Sequence, residues 1–517
     1  MFLVRVAEML FETGTKTAAT NASSVRSIRG TGSIVPAIFP QVYWGVIAAA
    51  LGYCYFKAEE TDGIVLVLAT TLVILSAIPL FIYLRFPEKH SVIPVFAFNS
   101  LYYGLAFGIV SFFSFERKFE PFREVGKLQF ALGIVALGVM SQMIGYKLIS
   151  IRLLQKRQVL RKSMELTQEE LRVIGWVFCA GALIAMAFVD ILRIPTFGQL
   201  IRLFSLAGPS ILFYMFLKRK LTLFEAVLFF TTTFYLVWQG FLTGSFAEGL
   251  RFGLILSLVA LVSKRFYIFV VLVVVFGSLL FLINPIKMQY RNRTWFSNDG
   301  GQLTSFEKSE ILIDCIARHW GSNREDVSFV TGNKGTIDRL NQMGLFLAVV
   351  SKTPSSVPYW YGETIYDIIP SMVPRILWPG KPIKRFGNDF GHRYGLLHHR
   401  DKATSLNLPW VVELYANFGS IGILVGMFVI GLAFGYIENV LLNRDVETGT
   451  EVLLIGLFAP LSFPESNISL LWGGIILGWI AILATAKIFK VLDLFQRRRF
   501  ERRIARLKYS ERSRQKI

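Results

Sequence analysis

Arginine side chains are the residues of this sequence that best fit the recognition of an anionic group. The segment 375–402 holds seven Lys and Arg against two Asp, and Gly, Pro and aromatic residues separate its arginines. The planar guanidinium group of arginine binds phosphate or carboxylate oxygens through two parallel hydrogen bonds. Arginines placed in this way also stabilise negative charge on a departing oxygen. The candidates for this role are Arg291, Arg293, Arg375, Arg385 and Arg393.

Residues close to these arginines could accept a proton. General bases in enzymes are most often His, Glu or Asp. His392 directly precedes Arg393, whose charge favours the neutral imidazole that accepts a proton. Glu413 begins a predicted membrane helix, where an ionisable group is a functional candidate, although it could instead pair with Arg393 or Arg385. The candidate bases are His392, Glu413 and Asp389, with His398 and His399 as rivals.

Short motifs that bind nucleotides or catalytic metal ions are absent from the sequence. It has no Asp-x-Asp, no His-Glu-x-x-His and no phosphate-binding loop. Its three cysteines lack the spacing of a zinc site. We interpret the acidic turn that contains Glu59, Glu60 and Asp62 as a solvated turn. We therefore expect no metal and no cofactor, and the basic residues lack a motif for nucleic-acid binding.

The elements that must position these residues are membrane helices. Of the 517 residues, 53% are hydrophobic and 17% are charged, and the mean hydropathy is +0.51. Soluble proteins are about 25% charged. The apolar residues here fall in blocks of roughly 20, the length that crosses a bilayer. This composition excludes a soluble globular enzyme, a disordered chain and a coiled coil.

An all-α, polytopic membrane protein with about twelve transmembrane helices is therefore predicted. Two of the apolar segments are short, and the eleventh is interrupted by Pro460 and Pro464. The twelve segments are 34–56, 63–84, 92–114, 128–148, 173–192, 200–217, 222–242, 250–263, 266–284, 411–437, 451–464 and 468–489.

Basic residues divide unequally between the two sides of the membrane in this layout. The chain carries 55 Lys and Arg against 35 Asp and Glu, a net charge of +20. With a cytoplasmic N-terminus and twelve crossings, the inside loops hold 29 Lys and Arg and the short outside loops hold 5. Cytoplasmic loops carry an excess of Lys and Arg, so both termini are predicted to be cytoplasmic. The basic tail is expected to lie near anionic lipid headgroups.

The predicted organisation has five parts, of which one long external loop is unusual. A connector does not need such a length, and loops of this size are usually functional or folded. Helical spacing predicts helices within the loop over 304–320, 336–351 and 363–374. The parts are a cytoplasmic segment 1–33, nine helices in 34–284, the external loop 285–410, three helices in 411–489 and the tail 490–517.

Glycines recur at spacings of four or five residues in the tenth segment. They are Gly422, Gly426, Gly431 and Gly435. Small residues at this spacing let the backbones of membrane helices approach closely. We predict that this face packs against another helix and has no catalytic role.

Four short motifs occur in order from the external loop into the tenth segment. They are Pro-Arg-x-Leu-Trp-Pro-x-Lys-Pro at 374–382, Gly-Asn-x-Phe-Gly at 387–391, Ser-x-Asn at 405–407 and Glu-x-Tyr-x-Asn-Phe-Gly-x-x-Gly at 413–422. Their order and the position of the loop resemble the Wzy-type O-antigen and oligosaccharide repeat-unit polymerases. These are relatives of the O-antigen ligases among the GT-C-like membrane glycosyltransferases. The motifs cover about 365–426, and the many-span layout covers the whole chain.

This resemblance implies a glycosyltransferase of the bacterial cytoplasmic (inner) membrane, with its site on the periplasmic side. It would move a growing glycan from undecaprenyl diphosphate onto an incoming lipid-linked repeat unit, with inversion and without a metal. The expected partners are the undecaprenyl-diphosphate-linked donor and acceptor, membrane lipids, a chain-length regulator and a flippase, and no nucleic acid. Its products would be O-antigen, the polymer of lipopolysaccharide, or an exopolysaccharide.

Two other functions fit parts of the sequence. An O-antigen ligase would use the same arginines with a different, lipid acceptor. A transporter or flippase for a lipid-linked glycan would show two related halves with broken helices and charges near the midplane. The sequence has no internal repeat, and its polar residues concentrate in one external loop, which favours an enzyme.

Overall fold

The protein is all-helical throughout the part that the structure describes. The computed structural model describes residues 39–86, 93–113, 119–153, 167–192, 197–244, 247–263, 265–283, 285–294, 303–320, 341–373, 378, 380–381, 386–401, 404–441, 450–480, 482–484 and 487. Of these residues 81% are helical and none is in a strand. The all-α prediction is therefore confirmed for the described ranges.

The described residues form eighteen α-helices. Their bounds are α1 Phe39–Phe56, α2 Gly63–Arg85, α3 Val95–Tyr103, α4 Val125–Leu153, α5 Gln168–Leu192, α6 Phe197–Leu217, α7 Leu223–Leu242, α8 Ala247–Val262, α9 Phe266–Ile283, α10 Lys287–Thr294, α11 Ser305–Trp320, α12 Met343–Lys352, α13 Glu363–Tyr366, α14 Ile368–Met372, α15 Phe386–Arg393, α16 Trp410–Tyr436, α17 Thr450–Phe458 and α18 over 468–480. A π-helix and a 3-10 helix extend α3 to Phe112.

Each predicted apolar segment overlaps one of these helices. Among the described residues, four helical stretches are long and apolar enough to cross a membrane, which indicates a membrane-embedded protein. The eleventh segment is broken as its prolines suggest, because α17 ends at Phe458 and a short 3-10 helix follows. The four stretches are Gly63–Arg85, Val95–Phe112, Val125–Ser150 and Trp410–Asn439.

Helices are also present where spacing predicts them in the long loop. The first is α11, and the third is divided into α13 and α14. The second is α12, which begins at Met343; residues 336–340 of that prediction lie outside the described residues, and Asn341 and Gln342 are not helical.

Polar side chains cap the first turns of two apolar helices. The carboxylate of Asp62 accepts a hydrogen bond of 2.8 Å from the backbone N–H of Val65 at the start of α2. Thr222 and Glu225 form a reciprocal capping box at the start of α7. Such caps satisfy backbone N–H groups that have no partner within the helix. The sequence therefore fixes where these helices begin.

Helices α4 and α16 pack closely against each other. A Cβ atom built on Gly431 of α16 would lie 2.1 Å from the carbonyl oxygen of Gln142. One built on Gly435 would lie 2.6 Å from the carbonyl oxygen of Tyr146. Only residues without a side chain allow such an approach, so close packing is confirmed for these two glycines. The Ser141 hydroxyl adds a hydrogen bond of 2.8 Å to the Leu424 carbonyl across the same interface.

Helix α16, which overlaps the tenth predicted segment, is broken at Gly419. Gly419 has φ 65° and ψ −151°, a conformation outside the helical region. The bend brings the Leu414 side chain over Gly426, where an added Cβ would be 2.3 Å from it. Residues 410–417 are all buried, whereas Ile421, Val425 and Val429 are exposed at helical spacing. The first part is therefore enclosed by protein, and the stretch after Gly419 carries an exposed apolar stripe.

Candidate functional site

A tight turn of the long loop docks on the enclosed part of α16. The backbone N–H of Trp360 donates to the Ala416 carbonyl at 3.0 Å, and that of Tyr361 donates to the Asn417 carbonyl at 3.2 Å. The Asn417 side-chain oxygen accepts a hydrogen bond of 2.9 Å from the N–H of Gly362. Tyr361 and Gly362 both have positive φ, 47° and 89°. A tyrosine rarely adopts this conformation, so the bonds to α16 hold a strained turn in place.

Arg393 is fixed on top of this turn. Its guanidinium Cζ lies 4.2 Å from the centre of the Trp360 ring, and its Nη2 donates to the Pro358 carbonyl at 2.9 Å. A guanidinium group has five N–H donors, and one of them makes this hydrogen bond to Pro358. The contacts present a cation at the edge of the docked turn, which is where a bound anion would meet it.

Helix α15 carries Arg393 and is anchored to α12. The Tyr394 hydroxyl lies 2.7 Å from the Thr353 hydroxyl, and the Lys352 ammonium donates to the Tyr394 carbonyl. Burial raises the pKa of Tyr394, so its hydroxyl keeps the proton at neutral pH. The end of α15 is thus held by side chains of the same loop.

The Gly-Asn-x-Phe-Gly motif at the start of α15 serves the folding of the loop. Asn388 donates from its amide nitrogen to the carbonyls of Asp401, at 3.0 Å, and Thr404, at 2.7 Å. A Cβ built on Gly387 would lie 2.5 Å from the Leu406 carbonyl. The motif therefore clamps the chain around 401–406 against the helix. Asp389, between its members, is exposed.

His392 has a defined tautomer. Its Nε2 lies 2.8 Å from the Asp401 carbonyl oxygen, which only accepts hydrogen bonds. The Nε2 atom must therefore carry the proton, and the Nδ1 atom of the neutral ring is the proton acceptor. The ring is half-buried and precedes Arg393 in the last turn of α15. Of the candidate bases, His392 combines partial exposure with a fixed orientation.

Glu413 is enclosed within the protein. Its side chain has no solvent exposure, and its carboxylate accepts a hydrogen bond of 2.7 Å from the N–H of Ile468, the first residue of α18. A carboxylate at this position is favoured by the helix dipole. The Glu413 backbone carbonyl accepts from Asn417, which in turn donates to Thr364. This is the geometry of a residue that holds α16, α18 and the docked turn together.

Arg291 and Arg293 pack in a separate part of the fold, between the ends of α7 and α11. Arg291 donates from Nε to the Gly244 carbonyl at 2.8 Å. Arg293 forms an ion pair with Asp314 of α11, which Arg318 contacts at 2.8 Å. Arg318 and Arg293 hold the pKa of Asp314 below its usual range. The charge of Arg293 is therefore partly balanced within the protein.

The remaining candidates, Arg375 and Arg385, lie outside the described residues. The structure thus joins Arg393, His392 and, through the docked turn, Glu413. Arg291 and Arg293 are tied to other elements.

Carboxylates of the first acidic turn have structural partners. Glu60 forms an ion pair of 2.9 Å with Arg123, and Asp62 caps α2 and accepts a hydrogen bond of 3.1 Å from Gln129. The described residues contain no group of three or more His, Cys, Asp or Glu side chains able to hold a metal ion. The geometry of this turn fits the anchoring of α2 and α4.

The chain matches a protein-family model. A family model described as a domain of unknown function (DUF8712) matches residues 125–497. The chain belongs to the DUF8712 family. The matched region begins at the first residue of α4 and includes α15, α16 and the docked turn. The DUF8712 chain matches no curated protein and no solved structure.

Residues outside the sequence-derived set complete the site of this DUF8712 protein. Trp360 supports the Arg393 guanidinium, Asn417 binds the turn, and Gly419 breaks α16. Asn417 and Gly419 stand within the motif at 413–422, which is the signal that could have indicated them. Trp360 has no comparable signal, because its partner lies 33 residues away and only the folded loop brings them together.

Proposed function

We propose that this protein is a GT-C-like membrane glycosyltransferase that polymerises undecaprenyl-diphosphate-linked oligosaccharide repeat units. The proposal includes twelve crossings, both termini in the cytoplasm, and the site on the periplasmic side of the bacterial inner membrane. The product would be an O-antigen or exopolysaccharide. The observation that carries the proposal is the Arg393 guanidinium, which is stacked on Trp360 and bonded to Pro358 at the head of a broken, membrane-embedded helix.

The reaction needs a cation beside the leaving diphosphate, and Arg393 would supply it. The acceptor hydroxyl oxygen attacks the anomeric carbon of the donor glycan from the face opposite the diphosphate. The bond from that carbon to the diphosphate oxygen breaks, and the electron pair leaves with undecaprenyl diphosphate. A preorganised guanidinium group stabilises this developing charge without having to reorganise. Arg375 and Arg385 would bind the diphosphate beside it, whereas Arg291 and Arg293, which contact Gly244 and Asp314, have no place in this step.

The hydroxyl proton needs an acceptor. His392 supports this step because Nε2 donates to the Asp401 carbonyl and Nδ1 keeps a lone pair. Asp389 is the exposed alternative on the same helix. Glu413 would act as a positioning residue, since its carboxylate is buried against Ile468. The proposed chemistry uses side chains of the protein and requires no metal ion.

Reconstitution tests the proposal. Purified protein in liposomes is given lipid-linked repeat units, and the products are sized by gel electrophoresis. A ladder of lengthened glycans is expected, together with release of undecaprenyl diphosphate. For the Arg393→Ala variant, Arg318→Ala is the matched control, because Arg318 is an exposed arginine of the same external loop.

Other outcomes identify the alternatives. Transfer of finished glycan to a lipid A core acceptor without lengthening would indicate a ligase. Movement of the lipid-linked unit across the liposome membrane without any glycosyl transfer would indicate a transporter or flippase. Either outcome refutes the polymerase.

A further inference from the structure

Helix α11 lies across one end of the apolar bundle. Helices α7, α8 and α9 follow one another through short connections, so α7 and α9 end on the same side. Near the start of α11, Ser309 accepts a hydrogen bond of 3.0 Å from the Trp238 indole of α7. At its end, the Trp320 indole donates to the Leu282 carbonyl of α9 at 3.2 Å. A helix bonded to the last turns of both must run across them and not along them.

One face of α11 is buried against these ends. Leu312 and Cys315 are each 1% exposed and belong to a small apolar cluster with Phe241, Ile283 and Tyr290. This cluster is separate from the main core. Successive residues of an α-helix are about 100° apart. At this spacing, the residues of α11 that contact the cluster cover about one third of the helix circumference.

The rest of the circumference divides into two sectors. Phe306, Ile313, Ala317 and Trp320 fall within one narrow sector, and Phe306 and Ile313 are 72% and 57% exposed. Ser309 lies next to this sector on the side where Trp320 begins it, so the bonds to Trp238 and Leu282 lie at that edge of the sector. The adjacent sector is polar and holds Glu307, Glu310, Asp314 and Arg318.

The apolar sector continues an exposed apolar surface of the bundle. Helix α9 is almost entirely apolar, and its Val271 and Val274 are 58% and 59% exposed. Leu282 at its end is exposed beside Trp320, and Phe234 of α7 stacks at 6.2 Å on Trp238. A soluble surface does not sustain a contiguous apolar patch of this extent. In a membrane-embedded protein it faces lipid.

We infer that α11 is an interfacial helix that binds the surface of the lipid bilayer. Phe306 and Ile313 insert between the headgroups and the upper acyl chains. Trp238 and Trp320 stand at the level where indole rings are enriched in membrane proteins. The polar sector and the Arg293–Asp314–Arg318 cluster face water. An amphipathic helix divided in this way lies in the plane of the interface, and the inference is independent of the proposed glycosyl transfer.

Spin labels on the full-length protein in lipid nanodiscs test this placement. Labels are attached at Phe306→Cys, Ile313→Cys and Arg318→Cys, and collision rates are measured with dissolved oxygen and with a water-soluble nickel chelate. Since Cys54, Cys179 and Cys315 are buried, the unsubstituted protein gives the labelling background. The nickel collision rate at 306 and 313 should be several-fold lower than at 318, and the oxygen rate higher. Equal access of the nickel chelate to all three positions overturns the inference.

Discussion

Replacing Gly145 with alanine should force α4 and α16 apart. A Cβ on Gly145 would lie 2.2 Å from the carbonyl oxygen of Phe428 and 3.1 Å from the backbone nitrogen of Leu432. Both atoms belong to the backbone, so no side chain can rotate away to make room. Gly133 on the same helix has nothing within 4 Å of an added Cβ. Gly133→Ala is therefore the matched control, with the same chemical change and no clash.

The size of the effect follows from these distances. Contacts between carbon and oxygen settle at about 3.3 Å, so the helices must separate by about 1 Å at Gly145. Overpacking of this kind costs about 1–3 kcal/mol of folding free energy. An alanine in a helix gains up to about 1 kcal/mol over glycine. Both variants share this gain, so their free energies of unfolding should differ by the overpacking cost alone, about 1–3 kcal/mol.

Unfolding in mixed micelles, followed by circular dichroism at increasing SDS fraction, measures this difference. Gly145→Ala should unfold at a lower SDS fraction than the unsubstituted protein, and Gly133→Ala at the same or a higher one. Gly431→Ala, which meets the Gln142 carbonyl from the opposite helix, should reproduce the loss. Equal stability of Gly145→Ala and Gly133→Ala would refute the close packing of α4 and α16.

Three further predictions follow from the site and from the helix caps. Arg393→Ala should lower turnover in the reconstituted assay about 10²–10³-fold, and Arg393→Lys should not restore it, because lysine lacks the planar fork; full turnover with lysine would contradict the assigned role. Glu413→Ala should destabilise the protein by about 1–3 kcal/mol, because the Ile468 N–H loses its acceptor, whereas Glu413→Gln should stay close to the unsubstituted protein in SDS unfolding. A Glu413→Gln protein that is stable but inactive would instead indicate a catalytic base. The N–H of Val65 and the Gln129 amide hold the pKa of Asp62 below its usual range, so the stabilisation by this cap is present at neutral pH and is lost as the pH falls through the folded-state pKa. Asp62→Asn keeps a capping side chain that does not titrate and should reduce the loss of stability in acid; unchanged acid sensitivity would argue against the cap.

Predictions from the sequence succeed where the signal is local. Blocks of apolar residues mark helices because the hydrocarbon core demands a fixed length of apolar chain. Prolines at 460 and 464 mark the break after α17, and the spacing of apolar residues marks α11 within the long loop. Glycine spacing indicates the packing face of α16, because only missing side chains permit the close approach seen at Gly431 and Gly435.

Long-range contacts account for what the sequence left open. Arg393 meets Trp360 across 33 residues, and Glu413 meets Ile468 across 55, so no local pattern identifies either pair. The helices, their apolar faces and the residue types available for chemistry follow from the amino-acid sequence. That Glu413 is enclosed, that His392 presents Nδ1 and that Arg293 is paired with Asp314 follows from the folded arrangement. The physical reason is that burial, tautomer and ion pairing depend on which distant groups the fold brings within a few ångströms.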